Sequence, residues 1–181
     1  PQQFAKYGSS VEIGSEGEIL IGAPGFNNNE GLIEQISFND EDNYSHELSI
    51  SSPLNGNVGF GSSISTDLDS SFFLTGVPNA NSFLGKLLSF GNSQQTPLEI
   101  AQGSTSGDLL GWSSSISGSK FAFSSLSMND PNGGAVSIYD FSSAQTIPLF
   151  EKLKPLVSEY ANEFGQSLHL DDDLLLVGAP G

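Results

Sequence analysis

Two histidines, His46 and His169, are the only imidazoles of the chain, and each needs partners before it can act as acid, base or ligand. His169 stands two positions before the run Asp171-Asp172-Asp173, and His46 opens the stretch HELSI. Neither has a third partner that completes a Ser–His–Asp arrangement, so both read as strand side chains. Calcium takes six to eight oxygen ligands, so a binding loop must offer carboxylates at alternating positions. Asp67 and Asp69 begin such a pattern, but Ser70, Ser71 and Phe72 do not continue it. The stretch 14–18 offers only Glu16 and Glu18, and the three consecutive aspartates at 171–173 point in different directions across a tight turn. No cofactor is expected; calcium at Asp67 and Asp69 is unsupported by the loop spacing. There is no G-x-S-x-G elbow, phosphate-cradling glycine loop or H-E-x-x-H pair. Carboxylates are plentiful, but nothing selects two of them for acid–base work. The chain is therefore expected not to be an enzyme. Trp112, the single tryptophan, reads as a packing residue, and Asn43-Tyr44-Ser45 is an N-x-S sequon that matters only in a eukaryotic secretory pathway.

Charge narrows the partners. Five Lys+Arg face 21 Asp+Glu in 181 residues, a formal net charge of -16. Phosphate backbones and anionic membrane surfaces are repelled by such a chain, so neither nucleic acid nor a membrane is an expected partner. No stretch approaches the roughly 20 apolar residues of a spanning helix. Without cysteine there is no disulfide, thiol chemistry or Cys-bound zinc. The opening PQQFAKYG is not a signal peptide and does not begin with Met, which reads as a processed or excised chain.

The elements that would position these residues come from a repeat. Tyr7-Gly8-Ser9-Ser10, Phe60-Gly61-Ser62-Ser63, Leu110-Gly111-Trp112-Ser113 and Phe164-Gly165-Gln166-Ser167 carry glycines 53, 50 and 54 residues apart. A second phrase follows: Gly22-Ala23-Pro24, Gly76-Val77-Pro78, a worn Ser125-Leu126-Ser127, and Gly178-Ala179-Pro180. Nine positions on come Gly31, Gly85 and Gly134, each ahead of an apolar run. Each unit reads as four short strands. SSVEI alternates, EILIGAP is nearly continuous as in a strand buried on both faces, GLIEQISF alternates again, and HELSI is a short outer strand. Tight turns are expected at 14–17, 68–71, 118–119 and 171–173. Only 152–164 could hold a helical turn, limited by Pro155. A repeat of about 50 residues with four antiparallel strands predicts an all-β fold of propeller blades. The units are 4–52, 57–102, 107–152 and an incomplete 161–181. That makes about three and a half blades of a ring expected to have seven, in one partial domain spanning 1–181.

Phe60-Gly61-Ser62-Ser63 and Phe164-Gly165-Gln166-Ser167, together with Gly22-Ala23-Pro24 and Gly178-Ala179-Pro180, resemble FG-GAP repeats, the blades of integrin α-subunit propellers. The short loops resemble the calcium-free variety. The resemblance implies a secreted or cell-surface protein, and a ring face on which the loops between second and third strands meet a protein or glycan ligand. Those loops are 25–30, 79–83 and 128–132. Their candidate contacts are Phe26, Asn27, Asn28, Asn29, Asn79, Asn81, Phe83, Asn129 and Asp130, with the two phenylalanines foremost as loop aromatics. The asparagines equally suit left-handed turns. The expected function is a non-enzymatic adhesion or interaction module. The alternatives are a structural spacer in a large surface or viral assembly and an accessory propeller of a secreted enzyme. A further expected partner is the remainder of the propeller, from the same precursor or another chain.

Overall fold

A computed structural model describes residues 5–14, 17–39, 43–66, 72–91, 96–127, 133–141, 147–155 and 163–180. The first sheet takes β1 (Ser10–Ile13), β2 (Ile19–Ala23), β3 (Leu32–Asn39) and β4 (Asn43–Ser51) in the order β1-β2-β3-β4. The second takes β5 (Ser63–Thr66), β6 (Phe72–Val77), β7 (Lys86–Gly91) and β8 (Leu98–Gln102) in the same order. The third repeats it with β9 (Ser114–Ser117), β10 (Lys120–Ser125), β11 (Ala135–Asp140) and β12 (Ile147–Leu153). A two-stranded sheet, β13 (Ser167–Asp171) and β14 (Leu174–Gly178), completes the set. Every pairing of these strands is antiparallel between chain neighbours, and isolated parallel bridges link Gly31 to Phe60 and Gly85 to Leu110 across units. Two four-residue helical turns, α1 (Phe26–Asn29) and α2 (Ala80–Phe83), join second to third strands.

The periodicities explain the strands. In β1 alternate residues are half-buried and exposed, whereas all of β5 is buried. The same sequence position differs because β5 lies between two sheets and β1 beside one. Successive first strands lie side by side, β1 by β5, β5 by β9 and β9 by β13. The core is correspondingly divided among the joints. Leu20, Ile33 and Ile50 of the first sheet meet Phe60, Ile64, Phe73, Val77 and Phe90 of the second. Leu74 and Leu87 of the second meet Leu110, Ile116, Phe121 and Phe123 of the third. Ala122 and Val136 of the third meet Leu170 of the last. Phe73 and Phe90 stack at 5.3 Å, and Phe60 meets Phe90 edge-on at 5.6 Å.

The all-β propeller expectation is corrected here. The four sheets are separate and open, none is closed or curled, and two helical turns accompany the strands. No ring is formed, so three and a half blades of a seven-bladed ring is not the architecture. The physical reason lies in what a repeat can encode. A 50-residue phrase specifies a meander and its seat on the next sheet, both local properties. Closure depends on more than one unit, and among the described residues the first and fourth sheets border a common cleft.

Candidate functional site

The loops that the sequence singles out are joints between sheets. In α1, Asn27, Asn28 and Asn29 all have left-handed backbone, with φ of 48°, 58° and 65°. In α2, Asn81, Ser82 and Phe83 repeat this at 51°, 60° and 66°. Asparagine tolerates that region, while a phenylalanine there is strained. The strained turn aims one carbonyl at the following unit. The Asn29 carbonyl accepts both Val58 N–H (3.0 Å) and Gly59 N–H (2.8 Å). The Phe83 carbonyl accepts Gly107 N–H and Leu109 N–H, both at 3.0 Å. Side chains brace the turns, and one bond, from Gly56 N–H to Glu30, crosses the joint. Asn27 donates to Glu30, whose other oxygen accepts Gly56 N–H; Asn79 donates to Asn57, and Asn81 to Gln102 at 2.7 Å. Phe26 is half-buried and Phe83 is 45% exposed. Asn129 and Asp130 lie outside the described residues, as do Asp67 and Asp69.

A second joint runs along the first strands. The Ser10 hydroxyl donates to the Gly61 carbonyl (2.8 Å), and the Ser63 hydroxyl donates to the Gly111 carbonyl (3.1 Å). Ser65 donates to Ser114 at 2.9 Å, and the hydroxyls of Ser115 and Ser117 accept Leu170 N–H and Asp172 N–H at 2.9 Å. Glycine is required opposite these contacts. A Cβ on Gly22 would lie 2.1 Å from the Gly61 carbonyl oxygen, and one on Gly76 would lie 1.7 Å from that of Gly111.

One feature of the joint is hidden in the sequence. Two residues before each repeat glycine the backbone is left-handed: Lys6 (54°), Gly59 (70°), Leu109 (52°) and Glu163 (62°). In the first, second and fourth units the residue after the glycine returns a bond to that carbonyl: Ser9, Ser62 and Gln166 N–H donate to Lys6, Gly59 and Glu163. The position carries Lys, Gly, Leu and Glu, so no residue type marks it. Only its fixed spacing from the glycine could have found it.

Between the first strands runs a cleft. Its upper part, about 440 Å³, is lined by Lys6, Ser10, Pro24, Ser63, Trp112 and Gln166 among others. Trp112 is 38% exposed there and forms part of the cleft wall. The lower part, about 550 Å³, holds Glu12, Thr66, Ile116, Ser117 and Asp171. Burial raises the Glu12 carboxyl above its ordinary value, an effect the His169 ring partly opposes. Burial and a 2.6 Å hydrogen bond to Glu34 push the Tyr7 phenol up to about 12. His46 Nδ1 lies 3.8 Å from Glu34, and Lys120 pairs with Asp173 in the 171–173 turn. His46 and His169 sit on different sheets, on β4 and β13. Among the described residues no three His, Cys, Asp or Glu gather where they could hold a metal ion. No helix among them is long and apolar enough to cross a membrane.

No family model matches the chain, and no curated protein matches it. The resemblance to FG-GAP and integrin α-type propellers is therefore corrected: short phrases of glycine, serine and proline recur, but neither a family match nor a ring supports the likeness. The readings that need a propeller fall with it. These are adhesion through ring-face loops, a propeller spacer in a surface or viral assembly, an accessory propeller of a secreted enzyme, and a protein or glycan ligand met by that face. The remainder of a ring as partner falls likewise. The turns α1 and α2 bond the next sheet's lead-in through backbone carbonyls, and leave the side chains of Asn27, Asn28, Asn29 and Phe83 exposed.

Proposed function

We propose that the chain is a non-enzymatic structural repeat module that works outside the cell. The observation that carries the reading is the use made of its hydroxyls. The serines of the first strands, the one abundant class of nucleophile here, bond to the neighbouring sheet at Ser10, Ser63, Ser65, Ser115 and Ser117. The Ser10 and Ser63 hydroxyls, which donate to structural carbonyls, are held away from a base, and nucleophilic catalysis requires that base. The acidic composition supports an exterior setting, where a charge of -16 maintains solubility.

The test is a turnover assay of the purified chain with chromogenic ester, glycoside and phosphoester substrates, beside Trp112→Ala and Glu12→Gln in the cleft. The reading expects no turnover above blank in any of the three. Turnover that is lost in either variant would replace it with a cleft enzyme. Fractionation of the source organism tests the location, with the protein expected in the extracellular fraction.

A further inference from the structure

The cleft between the first strands changes character along its length. Its lower part holds the carboxylates of Glu12 and Asp171 among Val11, Ile13, Ile116 and Leu170. Ile116 and Leu170 are buried, but Val11 and Ile13 are 54% and 57% exposed. The hydroxyls there are already engaged. Thr66 donates to the Phe72 carbonyl at 3.1 Å, and Ser117 accepts Asp172 N–H at 2.9 Å. The carboxylates are not. Lys86 and Lys120 pair with Glu99 and Asp173, and no ion pair among the described residues reaches Glu12 or Asp171. Glu12 is half-buried, and burial raises its carboxyl above the ordinary value, with only the His169 ring opposing. Its charge is therefore poorly solvated and poorly compensated. Lys6, the cation of the cleft, lines the upper part and not the lower.

We propose that the lower cleft binds a small organic ammonium ion with a short apolar body. The ammonium seats at Glu12, with Asp171 adding to the field, and the body covers Val11 and Ile13. About 550 Å³ of space suits a ligand of this size. A net charge of -16 draws cations towards the chain, and Lys6 turns the positive head away from the upper end. A bare metal ion fits less well. Calcium requires about six to eight oxygens, and no three acidic or imidazole groups gather among the described residues. Hydrocarbon walls instead favour a cation whose remainder is apolar.

The experiment is a titration of the 181-residue chain with n-hexylammonium chloride, followed by amide NMR shifts. Methylammonium, hexanol and hexanoate serve as comparisons, and Glu12→Gln is titrated beside the wild type. The variant removes a half-buried charge and keeps the side chain's shape, so it does not threaten the fold. Hexylammonium should saturate a single site and move the amides of Glu12, Ile13, Ile116 and Leu170. Methylammonium, which lacks the body, should bind about tenfold more weakly or worse. Hexanol should bind weakly and hexanoate not at all. Glu12→Gln should lose about tenfold in affinity for hexylammonium. Four results overturn the proposal. These are no saturable shift, shifts spread over surface carboxylates without preference for the cleft, affinity for hexanol or methylammonium equal to that for hexylammonium, and unchanged affinity in Glu12→Gln.

Discussion

A single added methyl separates the joint glycines from their terminal counterpart. At Gly76 the alanine Cβ has 1.7 Å to the backbone oxygen of Gly111, and backbone cannot rotate away. Gly76→Ala should cost about 3 kcal/mol, a severe overpacking penalty. At Gly178 the nearest atom is the movable Ser167 hydroxyl, so Gly178→Ala should cost less than about 1 kcal/mol. Urea midpoints at unchanged slope measure both. Glu12 offers a second test at this scale. Burial raises its folded-state pKa above the unfolded value of 4.5. The unfolded chain therefore releases the proton first as pH rises, and stability falls from about that pH until the folded carboxyl has ionised as well. Glu12→Gln removes that loss, so the variant should be more stable than wild type at pH 7, and the two should converge below pH 4. Equal midpoints at pH 7 would place the Glu12 carboxylate in water.

The turns α1 and α2 show how an element can be legible while its role is not. Asparagine-rich GFNNNE announces left-handed backbone through the known tolerance of Asn, and the structure has it at Asn27, Asn28 and Asn29. What those turns do could not be read, because the bonding atoms are the carbonyls of Asn29 and Phe83, which every residue possesses. Phe83 reads as a candidate contact because an exposed aromatic is unusual in a turn. Its ring is 45% exposed, and its left-handed φ costs energy that an asparagine would not incur. Phe83→Asn should therefore raise stability by about 0.5–1 kcal/mol, read as a higher urea midpoint. A fall would show that the ring is packed. The strands were clearer still. Alternation in SSVEI and the apolar run EILIGAP contain β1 and β2, and the turns at 118–119 and 171–173 join hairpins as expected. The turn at 68–71 lies outside the described residues.

At the scale of the molecule, the sequence period was visible and the assembly was not. Counting 50-residue units suggested a ring, whereas the sheets form an open row. Residues such as Ile13 and Leu176 are apolar like their buried equivalents but are 57% and 56% exposed. Burial is a property of neighbours, which the sequence of one unit does not encode. Stability in such a row sits in the joints, so they should open only when the whole stack unfolds. Native-state hydrogen exchange tests this most directly. The amides of Val58, Gly59, Phe60, Leu109 and Leu110, which donate across the joints, should exchange with the same opening free energy as the central-strand amides of Leu74 and Leu87. If those five exchange within minutes while the strands stay protected, the sheets stand independently and the joints do not hold the fold together.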